Sequence, residues 1–174
     1  MAYAIECYFD QEGTEKIQQL RDVFKNSKIN IDNGCCPHIS LAIYNNLNLE
    51  DFKQKLHKYS KSINNLTIKF SSFGIFPTDE SVLFLSPVPT VELLKFHEEF
   101  HNNFFDEIKN EVDYYLPQNW VPHCTIGINL TKEIITQSVI KIFEFQLPIL
   151  ARIEKIGILE FYPSKEIITY PILG

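Results

Sequence analysis

The amino-acid sequence predicts an α+β protein built from two related halves, and three observations support this fold class. The heptapeptide PHISLAI at residues 37–43 returns 85 residues later as PHCTIGI at residues 122–128. Strand-like and helix-like patterns follow the same order around each copy. The distance from the histidine to the next predicted strand is also similar, 28 residues in the first half (38 to 66) and 24 in the second (123 to 147). Such a duplication predicts two αβ lobes related by a pseudo-two-fold axis, with a ligand site at their junction.

The first half contains five predicted elements. Residues 2–9 alternate in pattern and are rich in aromatic and aliphatic side chains, which favours a strand. After a break at residues 10–13, apolar residues recur at helical spacing, and Thr14 is placed to cap that helix. The His38 motif continues as a strand into a turn-forming cluster at residues 44–48. In order, the predicted elements are a strand at 2–9, a helix at 14–25, a strand at 38–44, a helix at 50–60 and a strand at 66–73.

The second half repeats this plan. Pro87 and Pro89 close its first strand, Thr131 opens its second helix, and Gly157 is predicted to break a long strand. In order, the predicted elements are a strand at 82–85, a helix at 91–108, an irregular segment at 110–120, a strand at 123–128, a helix at 131–142 and strands at 147–162 and 166–172. We predict one domain over residues 1–174, with repeats at approximately 1–78 and 79–174. The outer strands are free to pair across the halves.

The charge balance argues against a broad nucleic-acid-binding surface. The chain has 174 residues, of which 45% are apolar and 22% are charged, as in an ordinary globular protein. Its net charge is −6, from 16 Lys and Arg against 22 Asp and Glu, and its two arginines are Arg21 and Arg152. Long duplexes are held by arrays of basic side chains, which this sequence lacks. A small anionic ligand needs only a few local donors, so a nucleotide pocket remains compatible with this composition.

The cysteines and the apolar runs indicate a reducing, cytoplasmic setting without a membrane segment. No signal-peptide pattern precedes the first strand, and no apolar run approaches the roughly 20 residues of a membrane helix. The Cys35-Cys36-x-His38 cluster resembles a metal site only superficially, because structural zinc sites pair cysteines two to four residues apart. We therefore predict free thiols, no metal and no cofactor. The cysteines are Cys7, Cys35, Cys36 and Cys124.

The paired histidine motifs carry the functional prediction. On a strand, side chains at i and i+2 share a face, so His38 lies beside Ser40 and His123 beside Thr125. One such motif carries little information, but two matched copies in a chain with five histidines indicate a shared cavity. Cleavage of a phosphodiester needs one group to take a proton and another to give one, and imidazole serves both purposes near neutral pH. The hydroxyls can donate hydrogen bonds to the phosphate oxygens. Which histidine is the base stays open.

On these two motifs the chain resembles the two-histidine (2H) phosphoesterase superfamily, also described as the 2′-5′ RNA ligase-like or cyclic phosphodiesterase fold. The resemblance spans essentially the whole chain. It implies a bilobal fold with two antiparallel-rich sheets, flanked by helices, around a central cleft. It also implies that His38 and His123 are catalytic and that Ser40 and Thr125 bind phosphate. The implied substrates are 2′,3′-cyclic nucleotides, cyclic ends of RNA or 2′-5′ linked nucleotides, without an obligatory metal.

The expected partner is a small nucleotide or an RNA end, and the oligomeric state is left open. No basic residue comes directly after the second motif, where Ile126, Gly127, Ile128 and Asn129 follow, and the acidic balance favours a small substrate over a tRNA. An aromatic platform for the base is expected from one of several rings. The candidates are Trp120, Tyr162, Tyr44 and Phe76. Lys155 or Lys165 could add positive potential near the site.

Two alternative functions remain at this point. A module that binds a nucleotide without cleaving it would use the same pocket. A metallohydrolase would use His97 and His101, which are spaced i and i+4 on a predicted helix, together with a cysteine. For His97 and His101 we favour a solvent-exposed helix face, because no further ligand is evident nearby. His57 is also predicted at the surface.

Overall fold

The protein is an α+β fold in which long antiparallel strands carry four α-helices, as described by a computed structural model for residues 2–25, 35–161 and 164–173. In this part of the chain the strands are β1 (Tyr3–Phe9), β2 (His38–Tyr44), β3 (Leu66–Phe76), β4 (Val82–Pro87), β5 (Cys124–Gly127), β6 (Ile149–Glu160) and β7 (Lys165–Pro171). The α-helices are α1 (Gln11–Lys25), α2 (Leu49–Ser60), α3 (Val91–Asn103) and α4 (Lys132–Ile142). Two 3-10 helices, Phe105–Asn110 and Asp113–Tyr115, follow α3. The predicted α+β class is confirmed.

Strand β6 joins the two arms of the sheet. The strand order is β2-β1-β6-β3-β4-β5, with β7 also paired to β6, and every pair is antiparallel. Residues 153–160 of β6 pair with β1, whereas residues 149–153 pair with β3. We call β2, β1, β7 and the C-terminal part of β6 the first arm, and β3, β4, β5 and the N-terminal part of β6 the second arm. The two predicted sheets are thus arms of one hydrogen-bonded sheet, because the 12 residues of β6 are long enough to serve both.

The two strands that carry the histidine motifs are the ends of this path, and they meet. Strands β2 and β5 contact each other although four other strands lie between them along the sheet. The backbone of His38 on β2 lies near the thiol of Cys124 on β5. Sheets twist in a fixed sense, and a sheet whose end strands touch is strongly curved. This curvature brings residues from distant parts of the sequence to one cavity.

Helix α1 packs one apolar stripe against the sheet. Ile17, Leu20 and Phe24 are almost fully buried, and α1 contacts β1, β5 and β6. Their spacing of three, four and seven residues places them on one face, and Arg21 lies on that same face. Gly13 allows the close approach, since a Cβ there would lie 2.5 Å from the Cβ of Ala151. Because Arg21 lies on the apolar face, its side chain enters the interior.

The helix starts are only partly as predicted. Helix α1 begins at Gln11, because the carboxylate of Asp10 accepts the Gly13 amide at 3.1 Å and caps the helix in place of Thr14. Thr131 does cap α4, where its hydroxyl accepts the Ile134 amide at 3.3 Å. The helix predicted over residues 91–108 ends at Asn103 as α3 and continues as a 3-10 helix.

The predicted break at Gly157 is wrong, because β6 is continuous through this residue. A Cβ on Gly157 would lie 2.7 Å from the carbonyl oxygen of Ile168 and 3.1 Å from the ring of Tyr8. The glycine makes room for a ring and a neighbouring strand. In the described ranges no helix combines the length and apolar character needed to cross a membrane. The four cysteines hold free thiols.

Candidate active site

The two histidine motifs are placed alike around one cavity. In each motif the proline is buried, the histidine half-buried, the spacer buried and the hydroxyl residue half-buried. His38, Ser40, His123 and Thr125 all line a cavity of about 530 Å³. The spacers, Ile39 and Cys124, are fully buried behind them. The strand alternation therefore turns the four predicted polar side chains toward the same space.

Each imidazole is anchored through the same ring nitrogen. Nδ1 of His38 lies 2.8 Å from the carbonyl oxygen of Cys36, and Nδ1 of His123 lies 2.7 Å from that of Val121. In both cases the acceptor is two residues earlier in the chain. A carbonyl oxygen only accepts hydrogen bonds, so Nδ1 carries the proton in each ring. Nε2 is left in both rings as the nitrogen that exchanges a proton.

The two motif hydroxyls have matching cross-strand neighbours in the two arms of the sheet. In each arm the hydroxyl residue pairs with a residue on the adjoining strand, and that residue pairs in turn with a glycine. The triples are Ser40–Glu6–Gly157 in the first arm and Thr125–Phe84–Gly74 in the second. A carboxylate in one arm thus occupies the place of a phenyl ring in the other.

A buried carboxylate faces His38. Glu6 is 1% exposed, and its Oε1 lies 3.3 Å from Nε2 of His38. The Tyr8 hydroxyl donates a hydrogen bond to Oε2 of Glu6 at 2.8 Å, and the Tyr8 ring meets the His38 ring edge to face. Burial, with Glu6 as the next cause, raises the pKa of Tyr8 far above its usual value, so that the phenol stays protonated and donates. The surroundings of His38 are polar and acidic.

Aromatic rings surround His123 instead. The ring centroids of Phe76 and Phe84 lie 4.9 Å and 5.4 Å from that of His123, and Tyr115 lies at 6.5 Å. Burial lowers the pKa of His123, and the positive form of nearby His38 adds to this, against the opposing hydrogen bond to Val121. His123 is therefore held in its neutral form near pH 7.

Arg21 connects the two motifs through hydrogen bonds to backbone carbonyl oxygens. Its guanidinium is 2% exposed and donates to the carbonyl oxygen of Thr125 from Nε at 3.0 Å and from Nη2 at 2.7 Å. Nη1 donates to the carbonyl oxygen of Cys35 at 2.8 Å. One side chain thus spans the second motif and the segment just before the first. Its position on the apolar stripe of α1 was a signal that could have marked it, since an arginine there needs buried partners.

Trp120 makes a second connection between the two motifs. Its indole Nε1 donates to the carbonyl oxygen of Ser40 at 3.0 Å, and one face of the ring stacks on His97 at 3.9 Å. Nε2 of His97 donates to the carbonyl oxygen of Leu41 at 3.0 Å. Burial and nearby His101 lower the pKa of His97 to about 3, so it is neutral and donates from Nε2. Trp120 and His97 together fix β2 against the segment that leads to His123.

The prediction that His97 and His101 lie on a solvent-exposed face is wrong. Both are 2% exposed. The segment at residues 111–120 covers their helix face, and Nε2 of His101 lies 2.7 Å from the buried carboxylate of Glu111. No group of three or more His, Cys, Asp or Glu side chains is placed to hold a metal ion within the described ranges. His57 is exposed, as predicted, and stacks on Tyr170.

Of the four residues predicted to stack on the base, some line the cavity and others do not. Phe76 and Trp120 line the cavity. Tyr44 does not, and this prediction is corrected: Tyr44 is fully buried in the core. The register between β1 and β2 skips Leu41, and this β-bulge reverses the alternation, so that Ile43 faces the cavity instead. Tyr162 lies outside the described residues.

Other lining residues escaped the sequence analysis. Tyr114 is 80% exposed and, like Phe161, lines the cavity. Tyr114 lies in the segment predicted to be irregular, and Phe161 directly follows β6, within the range predicted as a strand. Lys155 and Lys165 are exposed and are not among the residues that line the cavity. Among the described residues, the charged side chains that line it are those of Arg21 and Glu80, besides the histidines.

Paired histidines at the meeting ends of a curved antiparallel sheet define a class of protein, the 2H phosphoesterase fold. The sequence matches the model of the 2′-5′ RNA ligase superfamily over residues 9–163. This range includes both motifs and most of the chain, and the protein belongs to this superfamily. The resemblance drawn from the two motifs is confirmed.

Curated relatives agree with this assignment. A protein of Bacillus mycoides (strain KBAB4), whose name marks it provisionally as a phosphoesterase, is 30% identical over 120 residues. A similarly named protein of Bacillus cereus (strain AH820) is 29% identical over 120 residues. Each alignment covers 65% of this chain and 66% of the relative. The chain thus spans just under two thirds of the length of these relatives.

Solved structures share the fold. The crystal structure of TT0787 of Thermus thermophilus superposes with a TM-score of 0.67 at 11% identity, covering 99% of this chain and 98% of that one. E. coli LigT complexed with 3′-AMP superposes with a TM-score of 0.63 at 13% identity and the same coverage. At these identities the similarity shows the fold alone.

Proposed function

We propose that the protein is a phosphodiesterase that needs no metal and hydrolyses 2′,3′-cyclic nucleotides, cyclic RNA ends or 2′-5′ linked nucleotides. One observation carries this proposal: two histidines, each anchored through Nδ1, share a cavity with two hydroxyls. This arrangement supplies a base, an acid and hydrogen-bond donors for the phosphate. His38 and His123 are the catalytic pair, and Ser40 and Thr125 bind the phosphate oxygens.

The surroundings of the rings suggest which histidine is the base. His123, among aromatic rings, is neutral, and its Nε2 accepts a proton from the attacking water as the new bond from oxygen to phosphorus forms. The bond from phosphorus to the leaving ribose oxygen breaks, and that oxygen takes the Nε2 proton of His38. Exchange with solvent then restores both rings. The hydroxyls donate to the non-bridging oxygens, where charge redistributes in the transition state.

The cavity favours a small substrate with little charge. Its volume of about 530 Å³ is in the range of small-molecule pockets. Arg21 is the basic side chain in its wall apart from the histidines, and Glu80 offsets that charge. E. coli LigT has been crystallised with 3′-AMP and with ATP, which makes mononucleotides sensible first ligands to test. Phe76, Trp120 and the exposed ring of Tyr114 are the proposed contacts for the base.

The test is hydrolysis of a panel of 2′,3′-cyclic nucleotides, 2′-5′ dinucleotides and cyclic-ended RNA. For any substrate that the protein cleaves, His38→Ala and His123→Ala should each lower turnover on the order of a hundredfold or more. His57→Ala is the matched control, because His57 is exposed on α2 and is not among the residues that line the cavity. Activity should persist in excess EDTA. Unchanged turnover in both catalytic variants would refute the mechanism.

The same experiment separates catalysis from binding alone. Phosphorus NMR of a cyclic nucleotide with the protein gives new product signals if the bond is opened. A saturable shift of the substrate signal without product would favour the non-catalytic binding module.

A further inference from the structure

Glu6 is a carboxylate in an otherwise apolar strand. It pairs across the sheet with Ser40 of β2, while Tyr8 pairs with His38. Residues that pair directly across an antiparallel sheet share a face, so these four side chains lie together. Glu6 therefore faces the side of the sheet that carries the first motif.

The burial of Glu6 demands an explanation. A charged carboxylate almost never lies fully buried unless it is paired, because removal from water costs several kcal/mol. Here its Oε2 accepts the Tyr8 hydroxyl, and its Oε1 lies 3.3 Å from Nε2 of His38. Since Nδ1 of His38 already donates to Cys36, a proton on Nε2 makes the ring a cation that faces Glu6. The equivalent place in the second arm holds Phe84, which offers His123 no charge.

We propose that Glu6 is a positioning residue that keeps Nε2 of His38 protonated and so fixes His38 as the general acid. The proposal rests on the proposed function and adds to it the residue that makes the two histidines different. Glu6 acts through His38 and stays a carboxylate throughout. When the Nε2 proton has passed to the leaving oxygen, the adjacent negative charge favours reprotonation of His38 from solvent and readies it for another turnover.

Other charged and titratable groups lie near His38 or in the wall of its cavity, and the effect of Glu6 must be separated from theirs. They are Tyr8 on β1, His123 and Cys124 at β5, Arg21 on α1, Cys35 before β2, and Tyr115 and Glu80 in the cavity wall. Arg21 and a charged His123 both oppose a proton on His38. Glu6 is the carboxylate recorded at ion-pair distance from the His38 ring in the described ranges. A substitution at Glu6 leaves each of these residues in the chain, and Tyr8→Phe isolates the contribution of the hydroxyl that donates to Glu6.

The experiment uses the series Glu6→Gln, Glu6→Asp and Tyr8→Phe in the full chain. NMR titration of the ring protons gives the midpoint of His38 directly, without any substrate. An opposite charge at this distance shifts a titration by about one to three pH units, so Glu6→Gln should lower the His38 midpoint by about one unit or more. Glu6→Asp keeps the charge farther from the ring and should fall between. Tyr8→Phe keeps the carboxylate and should stay closer to wild type than to Glu6→Gln.

The pH dependence of kcat supplies a readout that a purely structural role would not change. The general acid must be protonated, so the alkaline limb of kcat should move to lower pH in Glu6→Gln. The ratio of wild-type to variant kcat should then rise with pH, reaching about tenfold above both midpoints for a shift of one unit. A loss of equal size at every pH, or an unchanged His38 midpoint in Glu6→Gln, would overturn the proposal. Should no substrate be cleaved, the proposed function fails, and the titration still decides whether Glu6 holds the proton on His38.

Discussion

His38 and His123 occupy matching positions in the two arms, and each is anchored through Nδ1 to the carbonyl two residues earlier. The strands beside them differ. On β1 the partner of the motif hydroxyl is Glu6, whereas on β4 it is Phe84. One imidazole thus faces a carboxylate at 3.3 Å, and the other lies 5.4 Å from a phenyl ring.

In the proposed mechanism, this difference gives two matched histidines the unlike surroundings that suit an acid and a base. General acid and base catalysis requires opposite protonation states at the same pH, and unlike surroundings favour the proton on one ring over the other. The residue that breaks the symmetry lies on the neighbouring strand, outside both motifs. Under the proposed mechanism, the motif fixes where each ring lies, and the residues beside it decide which ring is the acid and which is the base.

The largest expected effect tests whether the two motifs hold the phosphate equally. Ser40→Ala and Thr125→Ala should each lower kcat on the order of a hundredfold, as the loss of a donor to a transition-state oxyanion does. Thr136→Ala is the matched control, because that hydroxyl is exposed on α4 and donates to Lys132. Losses that differ by more than about tenfold would place the phosphate nearer one arm. Unchanged kcat in both variants would show that the two hydroxyls do not bind the phosphate.

A smaller effect on kcat is expected from substitutions of Arg21 and Trp120, which connect the two motifs. Arg21→Lys cannot reproduce the fork that reaches Thr125 and Cys35, and it should lower kcat by about tenfold through misplacement of the rings. Trp120→Phe keeps the ring but loses one hydrogen bond to Ser40, which contributes about 1 kcal/mol. Its effect on kcat should be smaller. Steady-state kinetics and thermal melting compare the two variants. A wild-type kcat and melting temperature for Arg21→Lys would refute the role of Arg21 in positioning the rings.

The glycines of the two triples should affect stability more than activity. A Cβ on Gly74 would lie 2.3 Å from the ring of Phe84, and one on Gly157 would lie 2.7 Å from the Ile168 carbonyl. Overpacking of this kind costs about 1–3 kcal/mol. Gly74→Ala and Gly157→Ala should therefore both lower the free energy of unfolding in urea. An unchanged free energy of unfolding in both variants would mean that the neighbouring side chains and strands can shift to accommodate the added Cβ.

Much of the fold and the core of the site follow from local patterns. The order of strands and helices, and the four side chains of the two motifs, depend on spacings of two and about four residues that the sequence displays directly. Both ranges around the motifs appear in the structure as β2 and β5, although β5 begins one residue after His123.

The remainder depends on contacts between distant segments. Tyr44 was misjudged because the bulge at Leu41 is set by the pairing with β1, and no local pattern announces it. His97 was placed at the surface because the segment that covers α3 has no periodicity. Glu6 did leave a signal, since a lone carboxylate in an apolar strand must find a partner. Only the pairing of β1 with β2 shows that Glu6 lies beside His38.

The smallest expected effect concerns the aromatic surroundings of His123. Phe76→Gln admits water beside the ring, so the pKa of His123, which burial lowers, should rise toward its ordinary value. The base must be neutral to act, so the acidic limb of kcat should move to higher pH by the same amount. The alkaline limb should stay in place, in contrast to Glu6→Gln, which should move only the alkaline limb. NMR titration of His123 checks the shift without substrate. If one substitution moved both limbs, the two histidines would titrate as a coupled pair, and separate roles could not be assigned to them.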